Sequence, residues 1–190
     1  MLIIFSGLPG TGKTTLARGL ASHLSAAYLR VSSIETAIMD ARLGVNHPGD
    51  AGYRTTCQIA EENLRLGLTV ITDSVNPSLE TRELFRDSAT RVMRPFAEVE
   101  IVCSDRMEHR RRVEKRRPDF PGQSLPTWSE VESRPYDRWM TPPLRIDTAR
   151  QSPEASLARL ICLLPPLSRR QEARVPSSDQ DAPRRRSLVM

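Results

Sequence analysis

The sequence predicts an α/β fold, a doubly wound parallel sheet of five strands with helices on both faces. Three observations point there. Short apolar or β-branched runs alternate with helical stretches along the 190 residues, the order that builds parallel βαβ units. The first run, residues 1–6, is apolar and uncharged and reads as a buried strand. It breaks at Gly7 into Gly7-Leu8-Pro9-Gly10-Thr11-Gly12-Lys13-Thr14-Thr15, which fits G-x-x-x-x-G-K-[ST], the pattern of strand, phosphate-binding loop and helix.

In chain order, Leu16, Leu20 and Leu24 give the first helix, about 13–25, its apolar stripe. Ala27 to Val31 is the second strand, with Ser32-Ser33 as the cap of a helix from Ile34 to Leu43. Asn46 to Asp50 is a loop. The next helix covers about 51–66, with Ile59, Ala60, Leu64 and Leu66 as core positions and Gly67 as its stop. Leu68 to Thr72 is the third strand and ends at Asp73, after which Asn76-Pro77 starts a helix reaching about residue 93. Ala97 to Cys103 is the fourth strand, followed by an arginine-dense helix over about 105–117 and a proline-bounded loop, 118–126. Thr127-Trp128-Ser129-Glu130 has the T-x-x-E form of a capping box for a short helix that Pro135 ends. Leu144 to Asp147 is the fifth strand, and Ser152-Pro153-Glu154 opens a last helix to about Leu164. Residues 1–165 then make one domain. Residues 166–190, rich in Pro, Ser, Arg and Gln, have too little to bury and are expected to be a disordered tail.

Composition narrows the function classes. No apolar run approaches the ~18 residues of a membrane span, and the N-terminus lacks the basic segment and cleavage site of a signal peptide. A cytoplasmic protein without a membrane partner is expected. Cys57, Cys103 and Cys162 are far apart, and His23, His47 and His109 lack ligand spacing, which argues against a disulfide framework or a zinc site. The net charge is +5, but the last 23 residues hold six arginines and three acids, leaving +2 for residues 1–167. With only 5% aromatic residues to stack on bases, a nucleic-acid acceptor is disfavoured. The oligomeric state is not written in the sequence.

The loop sets the chemistry. Glycines at 7, 10 and 12 permit positive φ and leave no side chain in the way, so successive N–H groups and the helix N-terminus can converge on phosphate oxygens. Gly7 through Thr15 are expected to hold ATP, with Lys13 at the β- and γ-phosphates, Thr14 on Mg²⁺ and Thr15 at the α-phosphate. Lys13 and Lys115 are the only lysines against 26 arginines, which marks the lysine at 13 as a chemical requirement. Asp73, at the end of a strand beside the first, can hold Mg²⁺ through water or take the proton of an attacking hydroxyl. Arg112 and Arg116 stand four apart on one helix face and can clamp phosphates, with Arg110 or Arg106 over the adenine. Glu35, Arg30, Tyr53, Arg54 and Arg82 are candidates to line the acceptor pocket, as are Ser32 and Asn76 after the second and third strands.

Four stretches carry a family resemblance: Gly7 to Thr15; Leu29-Arg30-Val31-Ser32-Ser33-Ile34-Glu35; Leu66-Gly67 through Asp73-Ser74-Val75-Asn76-Pro77; and Tyr136-Asp137-Arg138-Trp139 leading to Ile146-Asp147-Thr148-Ala149. On these, residues 1–160 resemble the bacterial predicted-kinase branch of the P-loop superfamily, filed among AAA-type ATPases and related to polynucleotide kinase, zeta toxins and chloramphenicol phosphotransferase. The resemblance implies a P-loop NTPase domain of nucleoside-monophosphate-kinase type with a helical lid. It also implies ATP and Mg²⁺ as cofactors, lid arginines between strand four and the Tyr/Trp segment, and Asp147 and Thr148 near the adenine. The family usually carries an aspartate where this chain has Ser32, so that role passes to Glu35 or Asp73, or the substrate has changed, or activity is lost.

The expected function is transfer of the γ-phosphoryl of Mg·ATP to a hydroxyl of a small molecule, with Lys13, Asp73, Glu35, Arg112 and Arg116 as catalytic residues. A polynucleotide 5′-hydroxyl kinase is the rival enzyme. An ATP-binding switch without an acceptor is the rival of a different class.

Overall fold

The computed structural model describes residues 1–41 and 47–166. The expected tail beyond 166, the stretch of helix expected to reach Leu43, and Asn46 lie outside the described residues. Five strands, β1 (Leu2–Ser6), β2 (Ala27–Arg30), β3 (Val70–Asp73), β4 (Phe96–Val102) and β5 (Leu144–Asp147), pair in the order β2-β3-β1-β4-β5. Every pairing is parallel, as the alternating sequence pattern predicts. Helices α1 (Lys13–Leu24), α2 (Val31–Asp40), α3 (Ala51–Arg65), α4 (Leu79–Arg91), α5 (Arg106–Lys115), α6 (Trp128–Glu132) and α7 (Pro153–Leu163) make the connections.

All five residues of β1 are buried, and their alternation serves both faces of the sheet. Ile3 and Phe5 pack with Leu16, Leu20 and Leu160, so α1 and α7 cover one side. Leu2 and Ile4 pack with Cys57, Leu64 and Phe85, so α3 and α4 cover the other. Burial of a continuous apolar strand on two faces makes β1 the fixed platform from which the loop at Gly7 departs. No helix among the described residues is long and apolar enough to cross a membrane.

Three local expectations are corrected. The chain passes from β2 into α2 without a loop: Arg30 is the N-cap residue and Val31 begins the helix, so Ser32 and Ser33 lie inside its first turn. Helix α4 starts at Leu79 rather than at Asn76-Pro77, because Ser78 closes a capping box with Thr81. Leu66 is 78% exposed, since α3 ends at Arg65 and the chain turns away through Gly67 at φ 88°. The other caps fall where the sequence places them, Thr127 with Glu130 for α6 and Ser152 with Pro153 for α7.

The register decides what meets at the C-terminal sheet edge. Phe5 and Arg30 both pair with Asp73, so the root of the glycine loop, the end of β2 and the carboxylate at the end of β3 are neighbours. In open α/β sheets this edge is where ligands bind.

Candidate active site

The loop after β1 is shaped by what packs under it. Gly7, Gly10 and Gly12 have φ of 132°, 83° and 96°, a range L side chains rarely adopt. A Cβ at Gly7 would run into the Ile101 carbonyl of β4, and one at Gly10 would press on Val113 and His109 of α5. The loop therefore lies close against both elements. His109 fixes it further: its Nε2–H donates to the Pro9 carbonyl at 2.8 Å, and its ring meets Trp128 edge-on at 5.2 Å. Burial pushes the His109 pKa down, helped by Lys13 and Arg112 and opposed by the Pro9 bond, which favours the neutral ring. Thr148, just past β5, pins the other side, its hydroxyl 2.8 Å from the Thr11 carbonyl.

Lys13 is buried at the start of α1, and its Nζ donates to the Leu8 carbonyl at 2.8 Å, arching back over its own loop. Burial lowers its pKa to about 8; Asp73 opposes that shift, and Arg116, Arg30 and Arg134 add to it. An ammonium in this state gains from any anion placed in the loop. Thr14 Oγ1 donates to Asp73 Oδ2 at 2.7 Å, and the Tyr28 hydroxyl donates to the same oxygen at 2.7 Å. Burial and then the Asp73 charge raise the Tyr28 pKa, so it stays a donor. Arg30 Nε lies 3.9 Å from that oxygen.

Helix α5 brings the arginines. Arg112 donates from Nη1 to Thr148 Oγ1 at 2.7 Å and from Nη2 to the Thr148 carbonyl at 2.9 Å, while Glu108 pairs with it at 2.6 Å. Arg116 pairs with Asp119 at 3.2 Å. The cavity between loop, α1, α5 and the β5–α7 turn has a volume of about 410 Å³, and its charged lining is Lys13, Arg18, Arg112, Arg116 and Asp119. Four cations against one carboxylate suit a polyanion.

On the far side of Asp73, Glu35 of α2 lies tightly against Gly52 of α3. Burial raises the Glu35 pKa above the usual carboxylate range, with His47 and Arg134 pulling the other way. Tyr53 accepts the Asn76 N–H at 3.3 Å, and burial brings its own pKa up to about 12.

A family model described as an AAA domain matches residues 2–131. The chain belongs to the AAA domain family. Among solved structures, it is similar to a sugar kinase from Janibacter sp., at 18% identity over 85% of this chain and 92% of the other, with a TM-score of 0.62. It is also similar to the Mycobacterium tuberculosis APS kinase CysC in complex with AMPPNP and APS, at 21% identity over 85% and 95%, with a TM-score of 0.62. A third similar structure is Chaetomium thermophilum Kti12 in complex with ADP-AlF3, at 20% identity over 85% and 98%, again with a TM-score of 0.62. These likenesses show that the chain shares its fold with those proteins. None of the proteins of curated function matches the chain by sequence.

In this AAA-domain protein the structure brings together Gly10, Gly12, Lys13, Thr14, Thr15, Arg112, Arg116 and Thr148 around one cavity, with Asp73 bonded to Thr14. Other sequence candidates lie apart. Arg54 pairs with Asp50 at 2.6 Å on the surface, its side chain 67% exposed. Arg110 pairs with Glu114 along α5, outside the cavity lining. Asn76 is buried at φ 47° and donates to the Phe5 carbonyl and Ser6 Oγ, so it braces β1 instead of facing a substrate. Arg82 is likewise structural: its guanidinium donates to the Asn76 and Asp137 carbonyls and lies 4.0 Å from the Trp139 ring centroid. Asp147 accepts from the Ser104 and Ala149 amides, fixing the turn that presents Thr148. Ser32 sits in the first turn of α2, where its carbonyl accepts from Thr36.

Sequence reading missed three residues: Tyr28, His109 and Asp119. For His109 a signal exists, because it stands four residues before Val113 on the α5 face that meets Gly10.

The residues present fit a nucleotide and a hard cation. The glycine cradle leaves room that a Cβ would fill, and the Thr14 hydroxyl with the Asp73 carboxylate is an oxygen-only donor pair of the kind Mg²⁺ accepts alongside water and phosphate.

Proposed function

We propose that this protein is a kinase that moves the γ-phosphoryl of ATP to a hydroxyl of a small molecule, with Mg²⁺ as cofactor. The observation that carries it is the 2.7 Å bond between Thr14 of the loop and Asp73 of β3. A buried carboxylate at the mouth of the cradle is placed both to hold a metal ion against the phosphates and to take the proton of an attacking hydroxyl, the two tasks phosphoryl transfer sets. The sugar kinase and the APS kinase among the similar structures, and the AMPPNP and ADP-AlF3 held by two of them, support the reading.

Thr14 and Asp73 would hold Mg²⁺, which when bound screens phosphate charge and orients the transferring group. Lys13 exchanges the Leu8 carbonyl for phosphate oxygen, a trade that supplies the anionic partner its buried ammonium lacks. Arg112 and Arg116 take the charge that grows on the migrating phosphoryl. Asp73 accepts the proton of the attacking hydroxyl, while Glu35 with Tyr53 binds the acceptor. Tyr28 and Arg30 hold the Asp73 carboxylate in place for that step.

Two conservative variants divide these roles. Asp73→Asn is expected to abolish transfer while ATP still binds, because the amide keeps size and hydrogen bonding but takes no proton and binds metal poorly. Glu35→Gln is expected to raise KM for the acceptor more than it lowers kcat. Steady-state kinetics on both variants check the assignment; a dead Glu35→Gln beside an active Asp73→Asn would exchange the two roles.

A further inference from the structure

We propose that the acceptor carries an anionic group, a carboxylate or a phosphate ester, and that Arg30 receives it in the place Asp119 holds now. This rests on the kinase reading and names the acceptor class for the same site. Arg30 leaves the sheet at the end of β2 with its side chain only 5% exposed. A guanidinium buried so deeply needs a full set of acceptors, yet its Nη1 has no hydrogen-bond partner. Its Nη2 pairs with Asp119 at 2.8 Å, and the same Asp119 carboxylate pairs with Arg116 at 3.2 Å. The Phe120 ring covers the guanidinium, 5.3 Å from centroid to Cζ.

Asp119 is the single carboxylate in the lining of the cavity that also holds Lys13 and Thr14. It stands between α5 and α6, outside any helix or strand, and its side chain is 29% exposed. Of the two carboxylates beside Arg30, Asp73 and Asp119, it is the one that can leave without disturbing the sheet. An incoming carboxylate or phosphate restores the charge pairing that Asp119 gives up, and its oxygens can also satisfy Nη1. A neutral polyol does neither. It must bind beside the Arg30–Asp119 pair or leave a buried charge without a partner. Asp119 is thus an internal occupant of the acceptor's anion subsite, displaced when the substrate arrives.

The test uses matched sets: a polyol, the hydroxy acid of the same carbon skeleton, and its phosphate monoester. For the full chain, kcat/KM is expected to favour a charged member over the polyol by at least about tenfold. Asp119→Asn should lower KM for charged acceptors, and Arg30→Lys, which keeps charge but loses the planar fork, should reduce the preference. Which charged member wins, acid or phosphate ester, assigns the anion. Equal rates for neutral and charged acceptors, or a preference untouched in both variants, would overturn the inference while leaving the kinase reading intact. A second arm is independent of turnover: with AMPPNP saturating the loop, the hydroxy acid or phosphate monoester should raise Tm more than the polyol does. That difference should shrink in Arg30→Lys. No charge-dependent shift would overturn the inference, whereas a shift without any phosphorylation would keep the anion site and remove the kinase.

Discussion

At the scale of single residues, Lys13 carries a cost of burial that an anion in the loop would offset. Its pKa is about 8 in the fold against 10.5 for the free side chain, with burial the main cause. A depressed folded value means that stability is fullest above pH 10.5 and is lost as pH falls toward 8, where the buried amine must charge. Lys13→Met is therefore expected to melt higher than the native chain at pH 7, by a margin on the order of 1–3 kcal/mol, while losing nearly all transfer. The margin should narrow as pH rises from 8 to 10. Thermal unfolding across that range checks the sign. A Lys13→Met protein less stable than the native chain at pH 7 would show that the Leu8 bond outweighs the burial of charge. Lys13 itself was legible in the sequence because its neighbours in the loop define it. Tyr28 was not: it reaches Asp73 across 45 residues of chain, and no spacing rule spans that distance. Asp119 is hidden for the same reason, since its meaning comes from Arg30 on another element.

At the scale of elements, two distinctive sequence stretches turn out to be halves of one joint. Arg82 of α4 lies between the turn after β3 and the Tyr136–Trp139 segment, donating to carbonyls on both and covered by the rings of Tyr136 and Trp139. The Asp137 N–H returns a bond to the Pro77 carbonyl at 2.8 Å. Arg82→Ala should destabilise the fold by about 3 kcal/mol or more, since it strands buried carbonyls and empties the space between two rings. Urea unfolding followed by tryptophan fluorescence measures it; a loss under about 1 kcal/mol would show that water replaces the guanidinium. Helix α5 works differently. Arg112→Ala and Arg116→Ala are expected to lower turnover more than ATP affinity, because their charge matters most when the transferring phosphoryl is loosest. Equal losses in rate and affinity would reduce them to holders of the ground-state phosphates. Helix ends that depend on side-chain caps, α6 and α7, were readable, whereas the start of α4 was not. There Asn76 adopts φ 47° to brace β1, a tertiary demand that overrides its local preference for a cap.

At the scale of the whole molecule, five parallel strands set the chemistry at one edge. The order β2-β3-β1-β4-β5 puts the glycine loop at the centre, Asp73 and Arg30 on one side and Thr148 on the other. The alternation of strands and helices made that architecture legible, because burial of β1 on both faces leaves a short apolar run no other role. The proposed acceptor side was less legible, for it is assembled from α2, α3 and the stretch after α5, which meet only in the folded chain. The account's central claim is that the Thr14–Asp73 pair makes this P-loop a phosphotransferase. It is tested most directly by following the label of γ-labelled ATP into a panel of small hydroxyl compounds and oligonucleotide 5′ ends, with the native chain and Asp73→Asn side by side. The native protein should label at least one small molecule, and Asp73→Asn should label it at least about 100-fold more slowly with ATP affinity little changed. Near-normal labelling by Asp73→Asn, or ATP turnover by the native chain with no compound labelled, would contradict it.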